Sequence, residues 1–154
     1  MDVRTEILIG RPRAEVAEWS ADPERAPLWY ANIKRVEWVT EPPIARGSRV
    51  TFTAEFLRRQ LRYTYEIVDF VAGERLVMRT SEGPFPMETT YEWSDAGEGR
   101  TLMRLRNKGA PSGFARVLAP FMGPIVRSEN RKDLRRLKAI LELRGQSARR
   151  RYGV

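Results

Sequence analysis

Between residues 33 and 108 apolar and polar positions alternate in six short runs. Ile33–Thr40 carries Val36 and Trp38 on one parity and stops at Glu41-Pro42-Pro43. Val50–Leu57 places Val50, Phe52, Ala54 and Phe56 on one face. Leu61–Phe70 sets Leu61, Tyr63, Tyr65 and Ile67 against Arg62, Thr64 and Glu66. Arg75–Thr80 follows the turn Ala72-Gly73-Glu74. Phe85–Trp93 sets Phe85, Met87, Thr89, Tyr91 and Trp93 against Glu88, Thr90 and Glu92, and in Thr101–Asn107 Leu102 opposes Met103 and Leu105. A period of two predicts strands, and the Gly- and Pro-containing breaks predict their turns. Asp2–Ile9, with Val3, Thr5, Ile7 and Ile9 on one side, adds a strand at the start. No strand–helix–strand alternation is present, so the expected sheet is antiparallel, with about seven strands.

Two short helices are expected after the first strand. Pro12 opens one, with Val16 and Trp19 spaced to bury one side; Asp22-Pro23-Glu24 opens the other as N-cap, first helical position and dipole-matched acid. The chain closes on a helical segment. Phe114, Val117, Leu118, Phe121 and Met122 have helical spacing, but Pro120, Gly123 and Pro124 predict a break or kink there. From Ile125 a continuous helix should bury Val126, Leu134, Leu137 and Leu141, with Gly145 as its stop. The pattern is α+β: a curved antiparallel sheet wrapped round a long C-terminal helix.

Composition narrows the chemistry. The 154 residues suffice for one domain with a substantial core. There is no Cys and no His. That removes disulfides, thiolate nucleophiles, imidazole bases and His- or Cys-ligated metals. No cluster of acids suggests a carboxylate metal site, so no metal or organic cofactor is expected. No apolar run approaches the ~20 residues of a transmembrane helix. The start of the chain lacks a signal-peptide pattern, and a cytoplasmic location is expected. The net charge is +8, but residues 144–154 carry four arginines and no acid. Half the excess therefore belongs to an expected disordered basic tail beyond a domain of residues 1–143, and no specific nucleic-acid partner is predicted.

Several local pieces carry a resemblance: Ile9-Gly10-Arg11-Pro12 with Glu15-Val16, Asp22-Pro23 to Trp29, the Gly47-Ser48 turn, Tyr63-Thr64-Tyr65-Glu66, Gly83 to Glu88, and Asp133 to Lys138. In this order the chain resembles the helix-grip architecture of the START-like (SRPBCC) superfamily, in its polyketide cyclase/dehydrase-like branch. The resemblance implies an apolar cavity between sheet and helix for lipids, polyketides or other hydrophobic molecules. It also implies, as an alternative, cofactor-free cyclase, aromatase or dehydratase activity.

The expected ligand-facing set is Trp29, Phe52, Phe56, Tyr63, Tyr65, Met78, Phe85, Met87, Tyr91, Trp93, Phe114, Phe121, Met122 and Asn130. Any one of these aromatic residues is at home in a filled core; as a set they suit a site that is mostly apolar with a few polar anchors. Buried tyrosine hydroxyls need partners, which a ligand can supply. Asn130 sits near the stripe of Val126 and Leu134, either as a surface contact or as a ligand-facing amide. Glu66 and Glu88 read as exposed cross-strand charges paired with Arg62, Arg79 or Arg104. Gly83–Met87 and Pro111–Pro124 read as rims, the second gating access through Phe114, Phe121 and Met122. The expected partner is a hydrophobic small molecule, bound by a monomer or homodimer; an interaction module without a ligand is the remaining alternative.

Overall fold

In the computed structural model the chain is described over residues 1–56 and 58–152, apart from the side chains of Phe114, Ala115 and Tyr152. Its strands are β1 (Asp2–Ile9), β2 (Ile33–Trp38), β3 (Arg49–Phe56), β4 (Arg59–Val71), β5 (Arg75–Glu82), β6 (Met87–Asp95) and β7 (Thr101–Gly109). They form one antiparallel sheet in the order β1-β7-β6-β5-β4-β3-β2. Leu57, expected at the end of the third strand, lies outside the described residues.

The alternation read from the chain sets which face is buried. Leu61, Tyr63, Tyr65 and Ile67 of β4 point inward while Arg62 and Glu66 are exposed. Thr89, Tyr91 and Trp93 of β6 do the same. Glu88 meets Arg79 across the strands at 2.6 Å on the outer side, as a cross-strand charge pair should. Register shifts interrupt the β4–β5 pairing at Thr64/Tyr65 and again at Ile67/Asp69. Such irregularities bend and twist a sheet, and here they curl its concave face round the interior. Phe85 is not in a strand. Pro84 and Pro86 flank it and can donate no ladder hydrogen bond, so β6 begins at Met87 while Phe85 turns inward from the loop.

After β1 come α1 (Arg13–Ala21), a single 3-10 turn at Pro23–Arg25 and α2 (Ala26–Trp29). The Asp22 carboxylate accepts the Glu24 N–H at 3.0 Å and caps the turn. The last element, α3 (Phe114–Tyr152), crosses the concave face. Its C-terminal half is fastened to β1 and the residue after it: Lys138 Nζ donates to the Leu8 carbonyl at 2.9 Å, and Glu142 accepts the Gly10 N–H at 2.9 Å. Leu134, Leu137 and Leu141 are fully buried beneath those contacts.

The helix departs from expectation in three places. It is not broken at Pro120 or Pro124. Both prolines lie on the solvent side, where the carbonyls they leave unpaired can be hydrated. It does not stop at Gly145 either. That glycine is buried where the helix passes Arg11, and a Cβ there would fall 2.6 Å from the guanidinium. A close approach, not a left-handed cap, accounts for the glycine. Residues 144–152 then continue the helix with exposed side chains up to Arg151, where a disordered tail was expected.

Candidate functional site

A cavity of about 200 Å³ lies between the curled sheet, α2 and the N-terminal half of α3. Ten of the expected residues line it: Phe52 and Phe56 from β3, Tyr63 and Tyr65 from β4, Met78 from β5, Phe85, Met87 and Tyr91 from the β5–β6 loop and β6, and Met122 and Asn130 from α3. Phe52 and Tyr65 meet edge to face at 5.8 Å, as do Tyr63 and Phe85 at 6.0 Å. These contacts fix the ring orientations that shape the wall.

Three expected residues are elsewhere, and a fourth is not described. Trp29 is wholly buried behind the wall, with its ring 4.0 Å from that of Tyr30. Trp93 packs under α1, where its indole N–H donates to Ser20 Oγ at 3.0 Å. Phe121 is 63% exposed: it is one residue, and so ~100° of helix, away from the inward-facing Met122. The side chain of Phe114 lies outside the described residues.

The polar residues of the lining that were missed include Tyr30, Thr89 and Asn107, which lie inside it, besides Ser20, Asp22, Asn32 and Glu55. Asn107 continues the inward parity of Met103 and Leu105, a polar residue where an apolar one belongs. That was a readable signal of the same kind as Asn130. Thr89 Oγ1 donates to Asn107 Oδ1 at 2.9 Å, so these two satisfy each other. The hydroxyls of Tyr30 and Tyr91 are hydrogen-bonded together. Asn130 differs from both pairs. It is 6% exposed, and its Nδ2 is buried without a hydrogen-bond partner among the described residues.

Tyr30 is held in place from both sides. The carbonyl of Trp29 accepts Arg136 Nη1 at 2.8 Å, and the N–H of Ala31 donates to Asp133 Oδ1 at 3.1 Å. Burial raises the Asp133 carboxyl to about 6, against the opposing pull of the Ala31 N–H and Arg136. The phenols also titrate high. Burial pushes Tyr63 up to about 12, and raises Tyr30, Tyr65 and Tyr91 further. At neutral pH these hydroxyls are hydrogen-bond donors, not bases. No Lys or Arg lines the cavity among the described residues; its carboxylates, Asp22 and Glu55, lie where the lining meets solvent.

The opening follows from which lining residues keep solvent contact. Glu55 is exposed, and Asn32, Phe56 and Val126 are half-buried. They mark a mouth where α3 stands away from β2 and β3. Beside it, Phe85 and Met122 form a small apolar cluster of their own, with Phe56, Met87, Leu118 and Met1 packed round them. Among the described residues no three His, Cys, Asp or Glu side chains are placed to hold a metal ion.

Comparisons with known proteins agree with this architecture. The Zhui aromatase/cyclase from Streptomyces sp. R1128 superposes with a TM-score of 0.81 at 16% identity, covering 96% of this chain and 97% of that one. TTHA0849 from Thermus thermophilus gives 0.78 at 20% identity, covering 90% and 95%. A START superfamily protein from Mycobacterium smegmatis gives 0.71 at 16%, covering 96% and 98%. At such identities the likeness is one of fold, the helix-grip fold. No curated protein matches the sequence. A sequence model described as polyketide cyclase / dehydrase and lipid transport matches residues 1–142, and the chain belongs to that START-like family.

Proposed function

We propose that this protein binds a hydrophobic, aromatic or polyketide-like small molecule that carries an uncharged oxygen acceptor. The observation that supports this most directly is the Asn130 amide, which has a buried N–H without a partner in a mostly apolar wall. A buried donor left unpaired costs about 1–3 kcal/mol. A ligand carbonyl, ether or hydroxyl oxygen at that point recovers the cost on binding. The absence of a lining cation among the described residues disfavours a carboxylate or phosphate inside the cavity, because a buried anion needs a paired charge. The ten lining residues expected from the sequence form the proposed binding surface, with Tyr30, bonded to Tyr91, added to them.

A second reading is favoured by the Tyr30–Tyr91 pair. In that pair one phenol donates to the other and the second keeps its own O–H, which can donate to a developing enolate oxygen, as a cofactor-free cyclase or aromatase requires. In that case the cavity would also fold the substrate into one reactive conformation. Binding and carriage are the primary reading, since the interior of the lining presents donors and its carboxylates, Asp22 and Glu55, lie where it meets solvent.

Native mass spectrometry of the purified protein, followed by denaturing extraction, tests the proposal. An adduct that is apolar, oxygen-bearing and uncharged supports it, and its fate on incubation separates carriage from turnover. An empty protein that ignores both a lipid and a polyketide panel overturns it.

A further inference from the structure

The outward face of α3 is not used by the cavity. At ~100° per residue, Val117, Pro120, Phe121, Pro124, Arg127, Arg131 and Arg135 fall on one side of the helix. All seven are exposed; Val117 is 80% and Phe121 63% open to solvent. An apolar patch one helical turn long therefore stands at the N-terminal end, and three arginines continue its line. None of the three has a carboxylate partner among the described residues, and Arg116 beside Val117 has none either. The acids of this stretch, Glu129 and Asp133, are turned away: Glu129 is half-buried and paired with Lys132, and Asp133 is buried.

We propose that this face docks on an anionic lipid bilayer, with Val117 and Phe121 in the headgroup–acyl boundary and Arg116, Arg127, Arg131 and Arg135 on the phosphates. Apolar side chains followed by unpaired arginines on one helix face are the signature of interfacial binding. The charge pattern selects this occupant over the others. A second copy meeting the same patch would bring arginines against arginines, and a nucleic acid would leave Val117 and Phe121 without use. The opposite face of the same turns carries Met122 and Val126 of the cavity wall, so one stretch of helix would meet the bilayer on one side and the cavity on the other. The proposal does not depend on the cavity being filled.

The test is vesicle flotation of the full chain with phosphatidylcholine alone and with about a third phosphatidylglycerol. Binding to the mixed vesicles should weaken with salt and be feeble on phosphatidylcholine. V117S/F121S should lower affinity about tenfold or more, since two buried apolar side chains are lost. Neutralising Arg127, Arg131 and Arg135 to Gln should cost about fivefold each. R149Q/R150Q/R151Q, which changes only the last exposed turn, should bind nearly as the natural chain does. Thermal melts should be unchanged for all variants, because every altered side chain is solvent-exposed. Absence of binding overturns the proposal. So does binding that V117S/F121S leaves intact, which would be charge adsorption alone, or sedimentation showing a dimer that V117S/F121S dissolves.

Discussion

Removing one hydroxyl of the Tyr30–Tyr91 pair should cost more than removing both. Tyr91 is buried and Tyr30 half-buried, and their hydroxyls satisfy each other in a wall that otherwise offers little to bond. Tyr30→Phe leaves the Tyr91 hydroxyl unpaired, and Tyr91→Phe does the same to Tyr30. Each single change should therefore destabilise by about 1–3 kcal/mol, the penalty for an orphaned buried polar group. The double variant keeps both rings and orphans nothing, so its cost should stay below about 1 kcal/mol. For a domain of this size ~1 kcal/mol shifts Tm by ~2–4 °C. Singles should then fall by several degrees and the double by little, a coupling of at least about 1 kcal/mol and up to about 6 kcal/mol in a double-mutant cycle. Urea unfolding with a shared m-value gives the free energies, and thermal melts check them. Additive effects would refute the reasoning, because they would mean that neither hydroxyl depends on the other. Near-zero singles would also refute it, by showing that water in the cavity replaces the lost partner.

Asn130→Leu should raise stability by about 1–2 kcal/mol, since it removes a buried donor without a partner, and it should weaken binding of oxygen-bearing ligands relative to hydrocarbons; calorimetric titration against such a pair of ligands reads the second effect. Asp133 titrates at about 6 in the folded chain against an ordinary value of 3.8. Its contribution to stability is thus complete below about pH 4 and is lost as pH rises through about 6, a change of roughly 3 kcal/mol. Asp133→Asn should flatten that part of the stability profile in urea melts across the same range, and an unchanged slope would count against the shift. Gly83→Ala should destabilise by about 1–3 kcal/mol: the glycine has a φ of +155°, and a Cβ there would stand 2.7 Å from the Tyr63 ring in the cavity wall. A neutral Gly83→Ala melt would show that the ring yields freely.

Strand positions were legible because a half-buried antiparallel sheet writes its period directly into the chain. Leu61 to Ile67 and Thr89 to Trp93 show it most cleanly. Phe85 kept the parity but not the strand, since parity does not register the loss of two proline N–H groups. The same limit applies to the site. Parity placed Trp93 and Tyr91 on one face, yet only the position of α1 decides that Trp93 is packed while Tyr91 meets empty space. Phe121 was misplaced because apolar residues spaced along a helix suggest one stripe, whereas Met122 alone of the pair turns inward. Tyr30 was hidden by its neighbour Trp29, and only the clasp of Asp133 and Arg136 on either side of it reveals which of the two faces the cavity.

The attachment of α3 divides the molecule into a fastened end and an adjustable one, in the mechanical sense. Lys138, Glu142 and the leucines Leu134, Leu137 and Leu141 hold the helix to β1, while Met122, Val126 and Asn130 lie along the stretch that only borders the cavity. Substitutions in the second group alter the shape and polarity of the interior without loosening the first. The interior can therefore be reshaped by single replacements along about two and a half turns of helix, each accessible without first losing the fold.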